Sequence, residues 1–284
     1  LGLPLVVYSW LLRPVLFYAS TPEYQQLTYL KWYFGRYFRD YGVVGGGPVW
    51  FVNALLIFSL FYVLWRLVTP AKMESRDQQT AFPKGSSLLL FVLLLACSSY
   101  VTRIWFPADA SFKPLNFQLA DFPQYILLFI AGLAAYRKKW LEKIPGKTGR
   151  TAIAAGIVLI CLYPVVAIFA GAIENDVSFK GGLTWQSLVT VIWQSGMCVS
   201  LSTSGVYLFG RNFNTHGRLS KSLSRSAYTA YLIHEPIITF LAMGFAGVML
   251  YPLLKFALLS LVAVPLIFAM SAIIRKLPYA RDVL

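Results

Sequence analysis

Eight apolar runs, each close to the length of a membrane-spanning helix, constrain the fold of this chain more than any other feature of its sequence. A helix needs about 20 apolar residues to cross the hydrocarbon core of a bilayer. Because 58% of the residues are hydrophobic and only 13% are charged, a water-soluble fold would expose large apolar patches. The sequence therefore predicts an all-α fold, a polytopic transmembrane helical bundle of about eight spanning helices. The runs lie at about 1–18, 48–68, 87–106, 122–137, 151–173, 183–210, 226–247 and 250–274.

Lysine and arginine residues collect in alternate loops, and this bias predicts the orientation of the chain. The loops after the second, fourth, sixth and eighth runs hold 17 of them, whereas the opposite loops hold five. By the positive-inside rule, the first set of loops and both termini are predicted to be cytoplasmic. Topology thus accounts for the net charge of +14, and we expect no nucleic-acid partner.

The segment 20–41 is predicted to be an amphipathic helix that lies in the membrane interface. Its apolar residues recur every three or four positions with basic residues among them, which is typical of an interfacial helix. Two roles fit this segment, a plain anchor or a lid over an outward-facing site. The apolar positions are Tyr24, Leu27, Leu30, Phe34, Tyr37 and Phe38, and the basic ones are Lys31, Arg36 and Arg39.

A predicted hinge at Gly45 to Pro48 leads into the second spanning helix, since proline fits the first turn of a helix. Trp50 and Asn53 then lie three residues apart, on nearly one face of the outer end of that helix. A polar side chain within the hydrocarbon is costly and tends to line a cavity, which singles out Asn53. Trp50 also fits an aromatic belt at the interface.

His234 and Glu235 form the most pointed polar cluster, because both lie inside an apolar run and directly before Pro236. An imidazole there can transfer a proton or hydrogen-bond within a polar cavity. The alternative is a histidine that bonds to a neighbouring helix beside a proline kink. Adjacent helical residues point about 100° apart, so the sequence does not establish that the two act together.

Arg13 and Arg103 lie near the outer ends of their helices, where each can contact an anionic substrate or extend to the interface. No metal site is predicted, because His216 and His234 have no cysteine or acidic residue at ligand spacing. Motifs for nucleotide hydrolysis and for a hydrolase elbow are absent from the sequence. These observations leave a transporter and a membrane enzyme equally open.

Three motifs follow one another along the chain in the order of a known family. The first is GPVWF at Gly47–Phe51, the second is FPQY at Phe122–Tyr125, and the third is SRSAYTAYLIHEP at Ser224–Pro236. Together they resemble the acyltransferase-3 family of bacterial polytopic membrane acyltransferases. The resemblance extends along essentially the whole chain, so it is more specific than any single motif.

The resemblance implies one transmembrane acyltransferase-like domain over 1–284, integral to the bacterial cytoplasmic (inner) membrane and surrounded by membrane lipid. It implies acyl-CoA as the donor substrate, no bound cofactor, and a hydroxyl of a carbohydrate or glycolipid as the acceptor. In this chain, His234 and Asn53 would be the catalytic residues, and Trp50, Arg13 and Arg103 would contact the substrates. Relatives often carry an acidic residue at the position of Asn53, so only hydrogen bonding remains there. The sequence makes no prediction of the oligomeric state.

Two features of the family are missing from this sequence, a histidine in the first helix and an Arg-x-x-Arg motif near the second. The chain also starts inside an apolar run, at Leu1. We therefore expect it to be truncated at its N-terminus by two helices and to be inactive alone. A transporter or permease and a non-catalytic membrane remnant remain the alternative interpretations.

Overall fold

The computed structural model describes residues 6–41, 49–69, 80–112, 117–142, 144–169, 171, 177–212 and 217–276. Nearly all ordered elements in these ranges are helical, and the strands Ser111–Phe112 (β1) and Phe117–Gln118 (β2) pair in a two-stranded sheet. The all-α prediction is therefore confirmed. The predicted hinge at 45–48 and His216 lie outside the described residues.

The helices follow one another along the chain with short connections. Two π-helical segments, Tyr8–Leu12 and Tyr33–Tyr37, precede α1 and join α2 to α3. The α-helices of the described residues are α1 (Arg13–Ser20), α2 (Tyr29–Trp32), α3 (Phe38–Tyr41), α4 (Trp50–Val68), α5 (Gly85–Trp105), α6 (Phe122–Arg137), α7 (Gly146–Phe169), α8 (Trp185–Asn212), α9 (Arg218–Gly244) and α10 (Pro252–Ile274). Short 3₁₀ turns lie at Tyr24–Gln26, Leu119–Asp121, Trp140–Glu142 and Val177–Phe179.

Five stretches within the described residues are long and apolar enough to cross a membrane: α4, α5, Leu119–Arg137, α7 and α10. Large apolar side chains on them, such as Phe61, Leu90 and Leu253, are exposed on the protein surface, as lipid-facing side chains are. Helices α8 and α9 have 28 and 27 residues, which is also long enough to span, but their sequences are more polar. The chain is thus a polytopic membrane bundle, and the number of eight spans stays a prediction.

The chain divides into two compact units, of which the first comprises Leu1–Phe61, Phe112–Phe117 and His216–Leu284. One core cluster of this unit joins the first helical segment, the start of α4 and α9 through Tyr8, Val49, Val52 and Leu232. A second cluster joins α9 to α10 through Ala230, Ile237, Ala263 and Ile267. Two separate apolar clusters therefore fix α9 within the unit.

The predicted amphipathic segment 20–41 is helical but is not one continuous helix. Its backbone is extended at Leu27, where the carbonyl oxygen accepts a 2.7 Å hydrogen bond from the hydroxyl of Tyr18. Beyond this break, Tyr37 is buried and its hydroxyl donates a 2.6 Å bond to the carbonyl oxygen of Ser9. Phe34 is 70% exposed. An outward-facing phenylalanine suits a segment in the interface, and that location stays a prediction.

The second unit comprises Tyr62–Ser111 and Gln118–Thr215, with α8 packed against both α5 and α7. Small residues bring α7 and α8 close together, as is common between membrane helices. The ring of Tyr207 lies directly over Gly149, so a Cβ at that position would overlap the ring. Farther along, the indole Nε1–H of Trp193 donates a 2.9 Å hydrogen bond to the carbonyl oxygen of Leu159.

We expect Gly149→Ala to lower the free energy of unfolding by about 1–3 kcal/mol, because the added methyl group collides with Tyr207. Gly132→Ala on α6 is the matched control, since nothing lies within 4 Å of a Cβ there. Unfolding of both variants in mixed detergent micelles would measure the difference. An equal stability of the two variants would contradict the close α7–α8 contact.

Candidate functional site

The predicted polar residues of the first unit lie on elements that meet in one core cluster. Tyr8, Val52 and Leu232 pack together there. Val52 is followed by Asn53, and Leu232 lies two residues before His234. The cluster thus anchors the backbone of both predicted catalytic residues.

Asn53 is buried in the first turns of α4, with 6% of its surface exposed. Its amide nitrogen Nδ2 has no hydrogen-bond partner among the described residues. A buried donor without a partner is costly, so this amide is available to a hydrogen-bond acceptor that comes within reach. Trp50 is half-buried, and its ring lies 5.9 Å from the ring of Phe51 in an edge-to-face arrangement.

His234 is half-buried in α9, and its ring nitrogen Nδ1 lies 2.6 Å from the backbone carbonyl oxygen of Tyr231. A carbonyl oxygen only accepts hydrogen bonds, so Nδ1 carries the proton in this contact. In the neutral ring, Nε2 is then the nitrogen with the free lone pair. The geometry leaves His234 able to accept a proton at Nε2.

Glu235 is bound by a residue that the sequence analysis did not consider. The hydroxyl of Tyr8 donates a hydrogen bond to the Glu235 carboxyl oxygen Oε2, and Tyr8 is only 1% exposed. The two residues are 227 positions apart, and no local pattern links them. The side chains of His234 and Glu235 therefore make different contacts, as their angular separation on the helix indicates.

Two further buried hydroxyl groups lie on α9, one to two turns before His234 in the sequence. The hydroxyl groups of Tyr228 and Thr229 have no hydrogen-bond partner among the residues that the structure describes. Hydroxyl groups on a membrane helix are expensive to leave unpaired. They add to the hydrogen-bonding capacity of the segment that carries His234.

Arg13 is buried, with 6% of its surface exposed. Its guanidinium hydrogen-bonds to Tyr37 and lies 4.9 Å from the centroid of the Phe17 ring. Burial raises the pKa of the Tyr37 phenol, and the charge of Arg13 partly offsets this rise. The side chain thus joins α1 to the segment that follows it, and its contact with a substrate stays a prediction.

Arg103 belongs to the second unit, where it is 2% exposed. Its Nη2 atom donates a 3.0 Å bond to Asp121 Oδ1 and a 2.7 Å bond to Gln194 Oε1. The ion pair with Asp121 joins α5 to the start of α6, and the hydrogen bond to Gln194 joins α5 to α8. The sequence analysis missed Asp121 because its partner Arg103 lies 18 positions earlier and is brought next to it only by the fold. A substrate contact of Arg103 stays a prediction.

No group of three histidine, cysteine, aspartate or glutamate side chains could hold a metal ion in the part of the chain that the structure describes. The polar groups that the sequence and the structure single out on α4 and α9 include a histidine, an amide and hydroxyls. Such groups can accept a proton and stabilise a developing negative charge on oxygen.

Comparison with known proteins gives one finding that bears on this chemistry. A family model described as an acyltransferase domain matches residues 1–272 of the chain. No curated protein and no solved structure matches the chain.

We expect the Tyr8–Glu235 contact to stabilise the first unit. Both groups lose their hydrogen bonds to water when they are buried, so each would be costly without the other as its partner. A double-mutant cycle of Tyr8→Phe and Glu235→Met, which removes the acceptor, should give a coupling of about 0.5–3 kcal/mol in the free energy of unfolding. Tyr228→Phe is the control, since its hydroxyl has no partner among the described residues. A coupling of zero would contradict the contact.

We expect Arg103→Met to lower the free energy of unfolding by about 3–5 kcal/mol, because the Asp121 carboxylate would remain without its ion-pair partner. The control is Lys180→Met, which breaks a 2.9 Å ion pair with the exposed Asp109. The hydrogen bond from Lys180 lowers the pKa of Asp109, but water screens such a pair and its loss should not measurably change stability. Equal losses in the two variants would show that burial does not distinguish the pairs.

Proposed function

The chain belongs to the acyltransferase-3 family, and from this premise we propose that it transfers an acyl group from acyl-CoA to a hydroxyl group of a carbohydrate or lipid-linked glycan. The observation that carries the proposal is the family match over residues 1–272. Acyltransferase activity and membrane location are the general part of the assignment. The donor and the acceptor are the specific part.

In the proposed reaction, Nε2 of His234 removes the proton of the acceptor hydroxyl, and the oxygen attacks the thioester carbonyl carbon. The carbon–sulfur bond then breaks, and the proton passes to the leaving thiolate, so the products are an ester and free CoA. The Nδ1–H bond to the Tyr231 carbonyl favours the tautomer that this step needs.

Negative charge develops on the carbonyl oxygen during the attack, and a hydrogen-bond donor must stabilise it. The buried Nδ2 of Asn53 is such a donor, and it has no partner among the described residues. Trp50, three residues earlier on α4, supplies an aromatic surface for the acceptor. Arg13 and Arg103 act in this proposal by holding their helices and, where the substrates reach them, by contacting anionic groups.

We further propose that the protein lies in the bacterial inner membrane with both ends of this chain in the cytoplasm. The support is the distribution of 17 basic residues in one set of loops against five in the other. Acyl-CoA is a cytoplasmic metabolite, so this orientation exposes the basic loops to the donor.

We expect His234→Ala to reduce acyl transfer by at least about 100-fold, because a general base contributes roughly that factor. The assay uses inverted membrane vesicles that contain the protein as its natural gene encodes it, with radiolabelled acetyl-CoA. Base-labile label in the glycan and glycolipid fraction measures the product. His216→Ala is the matched control, since His216 lies between Arg211 and Arg218 in the sequence and has no role in the proposed reaction.

Transfer at the wild-type rate by His234→Ala would return His234 to a structural role. If the natural protein consumes no acetyl-CoA but moves a solute across the vesicle membrane, the transporter interpretation replaces the proposed function.

A further inference from the structure

A cavity of about 320 Å³ opens in the second unit beside the turn that ends α6. Its lining includes Thr80, Phe82, Lys138, Lys139, Trp140 and Glu142. The volume falls in the range of ligand sites, which is roughly 300–1,000 Å³. Nothing in the proposed acyl transfer at His234 uses these residues.

One wall of the cavity is aromatic and fixed in place. The indole Nε1–H of Trp140 donates a 3.0 Å hydrogen bond to the hydroxyl oxygen of Thr80. The ring of Phe82 lies 6.4 Å from the Trp140 ring, at an interplanar angle of 64°. A held indole and a neighbouring phenyl ring offer flat surface on which a planar base can stack.

Positive charge lies next to this aromatic wall. The Nζ atom of Lys138 is 5.0 Å from the centroid of the Trp140 ring, and Lys139 lines the same cavity with Glu142 as the acidic member. Two ammonium groups against one carboxylate leave the cavity positive. The combination of a stacking surface and adjacent positive charge suits a nucleotide, which joins a planar base to phosphates.

The backbone at Lys139 shows how this turn ends α6. Its φ of +54° is the only positive value of a non-glycine residue in the described part of the chain. Glycine is preferred at such a position after a helix, because a Cβ is strained there. Lys139 therefore ends the helix in the left-handed conformation and also lines the cavity.

We propose that this cavity binds the nucleotide end of the acyl-CoA donor, with the adenine on Trp140 and Phe82 and the phosphates at Lys138 and Lys139. This inference rests on the proposed function. The turn belongs to the most basic loop of the chain, with six lysine and arginine residues between 137 and 150, and the charge bias assigns that loop to the cytoplasmic side. Acyl-CoA is present on that side.

The first test measures binding of adenosine 3′,5′-bisphosphate to the natural gene product in detergent by calorimetry. The variant Lys138→Gln with Lys139→Gly should bind the nucleotide at least about tenfold more weakly. Glycine at 139 suits the positive φ, so this variant loses charge while its turn folds at least as easily. The charge-matched control is Lys84→Gln with Lys221→Gln, since neither residue is among those that line the cavity.

The second test compares acetyl-CoA with S-acetylpantetheine, which has the same reacting thioester but no nucleotide. The double variant should raise KM for acetyl-CoA about tenfold with kcat unchanged, and it should leave turnover of S-acetylpantetheine as in the wild type. A structural defect would slow both donors equally and would overturn the proposal.

Two outcomes separate this inference from the proposed function. Nucleotide binding that depends on the two lysines, without any acyl transfer, would keep the cavity and reject the function. Acyl transfer that is unaffected by the double variant would keep the function and reject the cavity. Competition of the bound nucleotide by vesicles of phosphatidylglycerol, but not by free CoA, would assign the cavity to lipid headgroups and overturn the proposal.

Discussion

The absence of water in the bilayer core is the constraint on which the rest of this structure depends. Every polar group within the hydrocarbon must find a partner in the protein or lose several kcal/mol. Backbone groups meet this demand by forming helices, which is why nearly all described elements are helical. Side chains meet it through pairs, such as Tyr8 with Glu235 in one unit and Arg103 with Asp121 in the other.

The same constraint explains which part of the fold the sequence could predict. The apolar run at 122–137 predicts the bounds of α6, Phe122–Arg137, because this helix is apolar over its whole length. Apolar runs predict the bounds poorly where a helix continues into water. The run at 226–247 belongs to a helix that begins eight residues earlier, at Arg218. Those eight residues are mostly polar, so an apolar run does not reveal that they are helical.

The sequence singled out individual polar residues of the candidate site but not their partners. Asn53 and Arg103 were both singled out and are buried, whereas Asp121, Tyr8 and the role of Gln194 as a partner were found only in the structure. The hydrogen bond from Arg103 to Gln194 spans 91 positions of sequence, and the bond from Tyr8 to Glu235 spans 227. Such pairs depend on how helices from distant parts of the chain pack, which hydrophobic periodicity does not encode.

Asn53 shows how the constraint connects stability with function. The Asn53 amide nitrogen is one of the buried side-chain polar atoms that have no hydrogen-bond partner among the described residues. A carboxylate at this position would carry a charge into the low-dielectric interior and would need a counter-ion. A neutral amide avoids that penalty but still offers an N–H. Its unmet hydrogen bond lowers the stability of the fold, and in the proposed reaction it would be made to the thioester carbonyl oxygen as that oxygen acquires negative charge. A donor with this role would contribute little to the resting fold and most to the transition state, which is the distribution of binding energy that the proposed acyl transfer requires.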